Sequence, residues 1–227
     1  GFRGKANVEL TAIHAFKIGR FLGWYYKKEN PEYRPRIVIG KDTRISSYML
    51  EYAVASGITS SGADAYMLHV TTTPSVSYVV RQDNFDCGIM ITASHNHFAD
   101  NGIKVINRSG EKMEDEVILL IEAYLDSDLN KLSEKGSDLP LATDEQIGKI
   151  IDYVAGRNRY VEHLISIASH SYRDLRIGLD CANGSAWMIA KSVFDALGAQ
   201  TYMIGFSPNG VNINNNCGST HPEALSR

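Results

Sequence analysis

Cysteine is scarce in this chain: Cys87, Cys181 and Cys217 are the only three among 227 residues, and no two form a C-x-x-C pair. An odd, widely spread set makes neither a disulfide framework nor a thiolate zinc site, so the three read as small core or loop residues in a reducing compartment. Long apolar runs are also missing. Nothing approaches the ~18 residues that span a bilayer, and no basic-then-apolar signal opens the chain. Nor is there an excess of positive charge, since 23 lysines and arginines face 26 aspartates and glutamates, for a net charge of −3. Proteins that coat nucleic acid or an anionic membrane are normally basic, so neither partner is expected, and the cytoplasm is the expected location.

The composition is otherwise that of a folded protein. Apolar residues make up 44% and charged residues 22%, enough to build a core and to rule out wholesale disorder. At ~100–200 residues per domain, the length allows one large domain or two small ones. The chain opens on Gly1 rather than methionine, which leaves a leader open.

Hydrophobic spacing predicts a helix capped by Thr11 and running to Tyr26, and a buried strand over Arg36–Gly40. It continues with a helix from Ser47 to a C-capping Gly62, a strand over Ala65–Leu68, and a short helix opened by Pro74 and reaching Val80. Two more strands follow, Gly88–Ile91 and Ile103–Ile106, then a turn at Asn107–Gly110 and an amphipathic helix over Glu114–Leu125. Alternating elements of this kind predict an α/β fold: a three-layer αβα domain with a mixed sheet and helices on both faces. The polar, breaker-rich stretch between Ser127 and Pro140 reads as a linker. Beyond it come a helix over Ile150–Ala168, a strand over Leu175–Asp180, a helix over Ala186–Leu197 and a strand over Thr201–Ile204. The expected division is a first domain over 1–140 and an incomplete second α/β domain over 141–227. The second β-α-β pattern stops after about 80 residues in a long loop, which predicts that the chain is part of something longer. An unpaired edge in that second sheet invites association between copies, so a homodimer is expected.

The chemistry concentrates in Ile91-Thr-Ala-Ser-His-Asn-His-Phe-Ala-Asp-Asn-Gly-Ile-Lys104. A buried strand delivers Ser94, His95 and Asn96 into a polar loop, and the next strand leaves carrying Lys104. Loops at the carboxyl ends of strands are where α/β sheets usually bind ligands. A serine hydroxyl needs a base or a cation to act as a nucleophile at neutral pH, and His95 and Lys104 are the nearby candidates. Three readings compete. The loop is a polar hairpin satisfying its own backbone; or it is a metal site of a hydrolase using His95, His97 and Asp100; or it is a covalent site in which Ser94 carries a phosphoryl group among basic residues. Basic residues do occur where the third reading wants them. Arg3 lies in the flexible frame Gly1-Phe-Arg-Gly4, and Lys41 and Arg44 follow a buried strand in Gly40-Lys-Asp-Thr-Arg44. Each alone reads as a solvated charge or a partner for Asp42; together they point to an anion site at one sheet edge.

Thr92-Ala-Ser-His-Asn96 followed by Asp100-Asn-Gly-Ile-Lys104 resembles the phosphoserine loop of the α-D-phosphohexomutases. Gly1-Phe-Arg-Gly4 is similar to the end of that family's N-terminal motif, and Lys41-Asp-Thr-Arg44 to its next motif, where arginine is more usual at the first position. Asp180-Cys-Ala-Asn-Gly184 and Cys217-Gly-Ser-Thr-His-Pro222 resemble second-domain motifs of the family's bacterial phosphoglucosamine mutase branch. The resemblance covers essentially the whole chain.

It implies interconversion of glucosamine 6-phosphate and glucosamine 1-phosphate through a phosphorylated Ser94 and a bisphosphate intermediate. It implies Mg²⁺ bound to Ser94 through its phosphate, with His95, Lys104 and Arg3 in proton transfer and charge stabilisation. The alternatives it leaves are a phosphoglucomutase or phosphomannomutase, and a non-catalytic sugar-phosphate binding module. His97 stands where the family usually has proline, which predicts a less rigid loop. The family's aspartate-rich metal loop, sugar-selecting loop and phosphate-binding domain have no match here, so residues 1–227 alone are expected to be inactive. His14, His69, His163 and His170 read as surface or capping groups, and His221 as structural or substrate-facing in its terminal loop.

Overall fold

In a computed structural model, which describes residues 1–132 and 138–226, strand alternation sorts the apolar side chains onto two faces of one sheet. The strands are β1 (Phe2–Lys5), β2 (Arg36–Lys41), β3 (Asp64–Val70), β4 (Cys87–Ile91), β5 (Asp100–Ile106) and β6 (Ile150–Asp152), in the order β1-β5-β4-β2-β3-β6. Strands β2, β3, β4 and β6 run parallel to one another, while β5 is antiparallel to both β4 and β1.

Ile37 and Ile39 of β2, with Cys87, Ile89 and Ile91 of β4, face one core together with α1 (Ala12–Lys27), α2 (Ile45–Ser60) and α4 (Asp115–Leu125). Val38 and Met90, one residue out of step, face the opposite core, built on α3 (Thr73–Gln82). Helix α5 (Val154–Ser166) lies beside α3, with the His163 ring stacked on Tyr78 at 4.6 Å. This is the expected three-layer αβα arrangement around a mixed sheet. Most of the first layer's contact is between α1 and α2, which approach on glycine. A Cβ at Gly19 would strike the carbonyl of Val54, and one at Gly57 the carbonyl of Phe16.

Thr11 caps α1 as its sequence predicts, accepting from the His14 amide at 3.3 Å. Gly62, one residue past the C-cap of α2, has φ +88°, the left-handed conformation that ends a helix cheaply only at glycine.

Two expectations are corrected. Gly1–Gly4 is no flexible frame: Phe2–Lys5 pairs with Asp100–Ile103 as an antiparallel edge strand, held because Phe2 packs on the core opposite Ile103. The helix expected from Ile150 starts at Val154. Its first residues form β6, where β-branched Ile150 and Ile151 pair with Ala65 and Tyr66 along an otherwise open edge of β3. The expected linker falls partly on residues 133–137, outside the described residues.

Beyond α5 stand β7 (Arg176–Asp180), α6 (Trp187–Ala196) and β8 (Gln200–Ile204), with β7 and β8 forming a two-stranded parallel sheet. Among the described residues no helix is long and apolar enough to cross a membrane.

Candidate active site

The first sheet has a place where its winding reverses. From β2 the chain crosses over α2 to β3 on one side, then returns over α3, on the other face, to β4 on β2's opposite side. The carboxyl ends of β2 and β4 are therefore adjacent, and the Asp42 amide donates to the Ile91 carbonyl at 2.9 Å. Crevices at such points are where open α/β sheets bind ligands. The end of β2 and the loop after it carry Lys41–Arg44, and the loop after β4 carries Thr92–Ala99.

Ser94 stands exposed at the tip of a tight turn. Its amide donates to the Thr92 hydroxyl at 3.0 Å, the Asn96 amide donates to the Ala93 carbonyl at 3.2 Å, and its own backbone is left-handed, with φ +57°. A non-glycine residue pays ~1–2 kcal/mol for that conformation, a strain that persists only where the surroundings impose it. Ser94 borders a cavity of about 390 Å³ whose wall also includes His95, Lys104 and Thr92.

Register explains the company. Lys104 lies opposite Met90, while Gly102, two residues earlier and on the same sheet face, lies opposite Arg3. Gly102 must be glycine, since a Cβ there would come 2.7 Å from the Thr92 carbonyl. Arg3, exposed, borders a neighbouring cavity of about 440 Å³ that shares Thr73, Thr92 and Lys104 with the first. Ser94, His95 and Lys104 are thus gathered around one space, and Arg3 stands at the next.

Lys41 and Arg44 are not free cations of this site, contrary to expectation. Lys41 is buried and ion-paired with the buried Glu51. Arg44 is buried against Asp42, and its Nη2 donates to the carbonyls of Ser94 at 3.2 Å and Asn96 at 2.7 Å. Lys41 ends a strand buried on both faces and Arg44 follows it, so each is drawn into the interior and requires a carboxylate there. Asp42 is fully engaged, accepting also from the Arg44 amide at 3.0 Å and the Ser47 hydroxyl at 2.7 Å.

The metal-site reading of the loop finds its residues otherwise employed. The His97 Nδ1 accepts from the Ala99 amide at 3.3 Å, and Asp100 accepts from the Asn96 carboxamide at 3.0 Å. Among the described residues no group of three or more His, Cys, Asp or Glu side chains is placed to hold a metal ion. The donor set around Ser94 therefore does not by itself fit Mg²⁺, because the two carboxylates in the cavity wall, Asp42 and Asp180, are both spent on internal hydrogen bonds.

The second unit contributes a wall that sequence reading only partly anticipated. Asp180 ends β7 and accepts from the amides of Ala182 at 2.9 Å and Gly218 at 2.5 Å, tying the Asp180–Gly184 and Cys217–Pro222 segments together. Both segments border the Ser94 cavity. Burial first, and then the charge of Asp180, push the Cys181 and Cys217 thiols up, so neither is an activated nucleophile. Asn214 was missed altogether. It lies in a run of asparagines that reads only as loop, yet its carboxamide reaches the serine turn, donating at 3.0 Å to the carbonyls of both Ser94 and Asn96. Repeated Asn in a loop signals left-handed backbone, and Asn214 and Asn216 indeed have φ +59° and +53°. It does not signal a target 120 residues away.

The chain is similar to known proteins along nearly its whole length. The chain is 62% identical over 225 residues to a phosphoglucosamine mutase of Lachnospira eligens, covering 99% of this chain and 48% of that protein. It is 59% identical over 227 residues to a phosphoglucosamine mutase of Lachnoclostridium phytofermentans, covering 100% of this chain and again 48% of the relative. The chain thus spans about half the length of the curated relatives it matches. Among solved structures, a phosphoglucomutase/phosphomannomutase family protein from Burkholderia thailandensis superposes with a TM-score of 0.76 at 25% identity, over 98% of this chain and 46% of that one. The family model described as phosphoglucomutase/phosphomannomutase, alpha/beta/alpha domain I, matches residues 1–131, a span that holds Arg3, Ser94, His95 and Lys104, and the chain belongs to this phosphohexomutase family.

Proposed function

We propose that the whole protein is a phosphoglucosamine mutase, interconverting glucosamine 6-phosphate and glucosamine 1-phosphate, with Ser94 as its phosphoryl carrier. One observation carries the reading: an exposed serine held in left-handed backbone at the sheet's switch point, on a cavity it shares with His95 and Lys104. The likeness to phosphoglucosamine mutases at 62% and 59% identity supports the choice of sugar.

The transfer balances as follows. The free hydroxyl of the sugar phosphate attacks phosphorus on phospho-Ser94. The new P–O bond forms as the bond to the Ser94 Oγ breaks, and the hydroxyl proton passes by way of a base in the site to the departing Oγ. The product is a sugar bisphosphate and a free serine. The bisphosphate turns over and returns its other phosphoryl group to Ser94: the P–O bond to the sugar breaks as the bond to Oγ forms, and the serine proton passes to the departing sugar oxygen. The Lys104 ammonium, and Arg3 from the adjoining cavity, offset the charge that builds on the transferring oxygens; His95, on the cavity wall, is a proton carrier. In this reading Mg²⁺ would meet the chain through the Ser94 phosphate; no step here depends on it.

The two parts of the chain suit this chemistry as separate units, 1–140 presenting the serine and 141–227 supplying a facing wall, with β6 of the second lending an edge strand to the first sheet.

Intact-mass analysis of the full-length protein should find one phosphoryl group on the peptide containing Ser94, and Ser94→Ala should abolish turnover. Full activity in Ser94→Ala would defeat the reading. Competition among glucosamine, glucose and mannose phosphates separates the glucosamine enzyme from a phosphoglucomutase or phosphomannomutase. A non-catalytic sugar-phosphate binding module would bind these ligands without turnover and regardless of phosphorylation at Ser94.

A further inference from the structure

The serine turn is held from two sides. On one side the buried Arg44 donates a single nitrogen, Nη2, to the carbonyls of Ser94 and Asn96. On the other side Asn214 donates its carboxamide nitrogen to the same two oxygens, each at 3.0 Å. A carbonyl oxygen has two lone pairs, and here both are taken, one by each unit of the fold. Arg44 belongs to the first sheet's switch point; Asn214 comes from the loop that follows β8.

That loop is itself fastened. The Asn214 amide donates to the Ala182 carbonyl at 2.9 Å, the Thr43 hydroxyl donates to the Asn183 carbonyl at 2.6 Å, and the Ile45 amide donates to the Gly210 carbonyl at 2.8 Å. The last two bonds join the units beside the serine, on the residues flanking Arg44.

We propose that Asn214 is a positioning residue for Ser94, one that makes the serine's presentation depend on the docking of the second unit. The inference rests on the phosphoserine reading above. The physical argument is one of backbone strain. Left-handed Ser94 is unfavourable in isolation, and its turn is made outside the sheet ladder. Carbonyls aimed away from any strand are fixed only by the donors that meet them. Removing the Asn214 donors leaves the Ser94 and Asn96 carbonyls met by Arg44 alone, so the turn is freer to relax toward ordinary backbone and to swing the hydroxyl off line. Because the donors come from the second unit, any motion that undocks that unit releases the turn in the same step. Phosphoryl transfer is sensitive to in-line placement, so the consequence falls on kcat rather than on substrate affinity.

Two variants of the full-length protein test this. Asn214→Gly keeps the left-handed backbone and removes the carboxamide. Asn214→Asp keeps the size but turns an acceptor toward two carbonyl oxygens. The expected result is a fall in kcat of about tenfold for Asn214→Gly, and more for Asn214→Asp, with KM for the sugar phosphate changed by less than about twofold. Each variant is assayed well below its own melting midpoint, so that folded protein is compared with folded protein. A raised KM at unchanged kcat would mean that Asn214 binds substrate instead of placing the serine, and would overturn the proposal. So would unchanged kinetics in both variants. Failure of the underlying reading shows elsewhere, as full activity in Ser94→Ala or as no phosphoryl group on Ser94.

Discussion

The Nη2 of Arg44 lies 3.2 Å from the carbonyl oxygen of Ser94, while its Nη1 is paired with Asp42. One buried guanidinium thus ties the loop after β4 to the loop after β2. Replacing it with leucine leaves the Asp42 carboxylate buried with only the residue-44 amide and the Ser47 hydroxyl as donors. Breaking a buried pair on one side costs about 3–5 kcal/mol, and Arg44→Leu should lose that much in urea unfolding. Arg44→Lys should recover part of the stability but little of the activity, because a single ammonium cannot span a carboxylate and two carbonyls. Stability of Arg44→Leu equal to the parent's would show that the pair is dispensable.

The strain at Ser94 can be read as an energy difference. With φ at +57°, alanine suffers there and glycine does not. Ser94→Gly should be more stable than Ser94→Ala by about 1 kcal/mol, though both lack the hydroxyl and neither should be phosphorylated. Equal unfolding midpoints would show that the surroundings do not impose the left-handed turn.

Much of this was legible in the sequence, for identifiable reasons. The buried parallel strands announce themselves as short runs of Ile, Val and Met, the first closed by Gly40 and the other opened by Gly88, and Thr11 caps α1 in fact as in pattern. That Ser94, His95 and Lys104 border one cavity is legible because a strand end, a polar turn and the next strand are contiguous in the chain. What failed was whatever depends on a distant partner. Phe2–Lys5 is too short and too rich in glycine and charge to read as a strand until β5 supplies its ladder. Lys41 looks like a solvent cation until Glu51 is seen beneath it, whereas the pairing of Arg44 with Asp42, two residues away, is one of the readings the sequence itself offers. Asn214 looks like loop filler because the carbonyls it meets lie 120 and 118 residues earlier.

Close approach of α1 and α2 sets up an opposition between propensity and packing. Alanine at Gly57, mid-helix and buried, should gain about 1 kcal/mol from helix propensity alone. Its Cβ, however, would meet the carbonyl of Phe16 and come 2.8 Å from the Arg20 amide, atoms of backbone that cannot turn aside. Overpacking against fixed backbone costs about 1–3 kcal/mol and often more, so the clash wins. Gly57→Ala should lower the melting midpoint, and Gly19→Ala, which meets Val54 across the same crossing, should do likewise. A gain in stability from either would mean that the helices are further apart than the structure places them.

The last prediction concerns alkali. Burial pushes the Cys87 thiol well above its ordinary 9.0 and raises the Tyr26 phenol above its ordinary 10.0, one on β4 and the other on α1. Burial likewise pushes Tyr124, at the contact of α1 and α4, up to about 12, against the opposing pull of Arg20. All three are neutral when folded at pH 7. Below their ordinary values the unfolded chain holds the same protons, so the stability tied to these groups is present in full. As pH climbs past about 9–10 the unfolded chain releases them while the folded chain still holds them, which favours unfolding. The loss continues until the folded groups ionise, near 12 for Tyr124. The melting midpoint, measured under reducing conditions, should therefore be nearly level from pH 7 to 8 and fall between pH 9 and 11. Tyr124→Phe should flatten part of that fall, since phenylalanine has no proton to lose. A midpoint that rises over the same interval, or a Tyr124→Phe variant whose profile keeps the parent's slope, would show that these groups ionise alike in the two states.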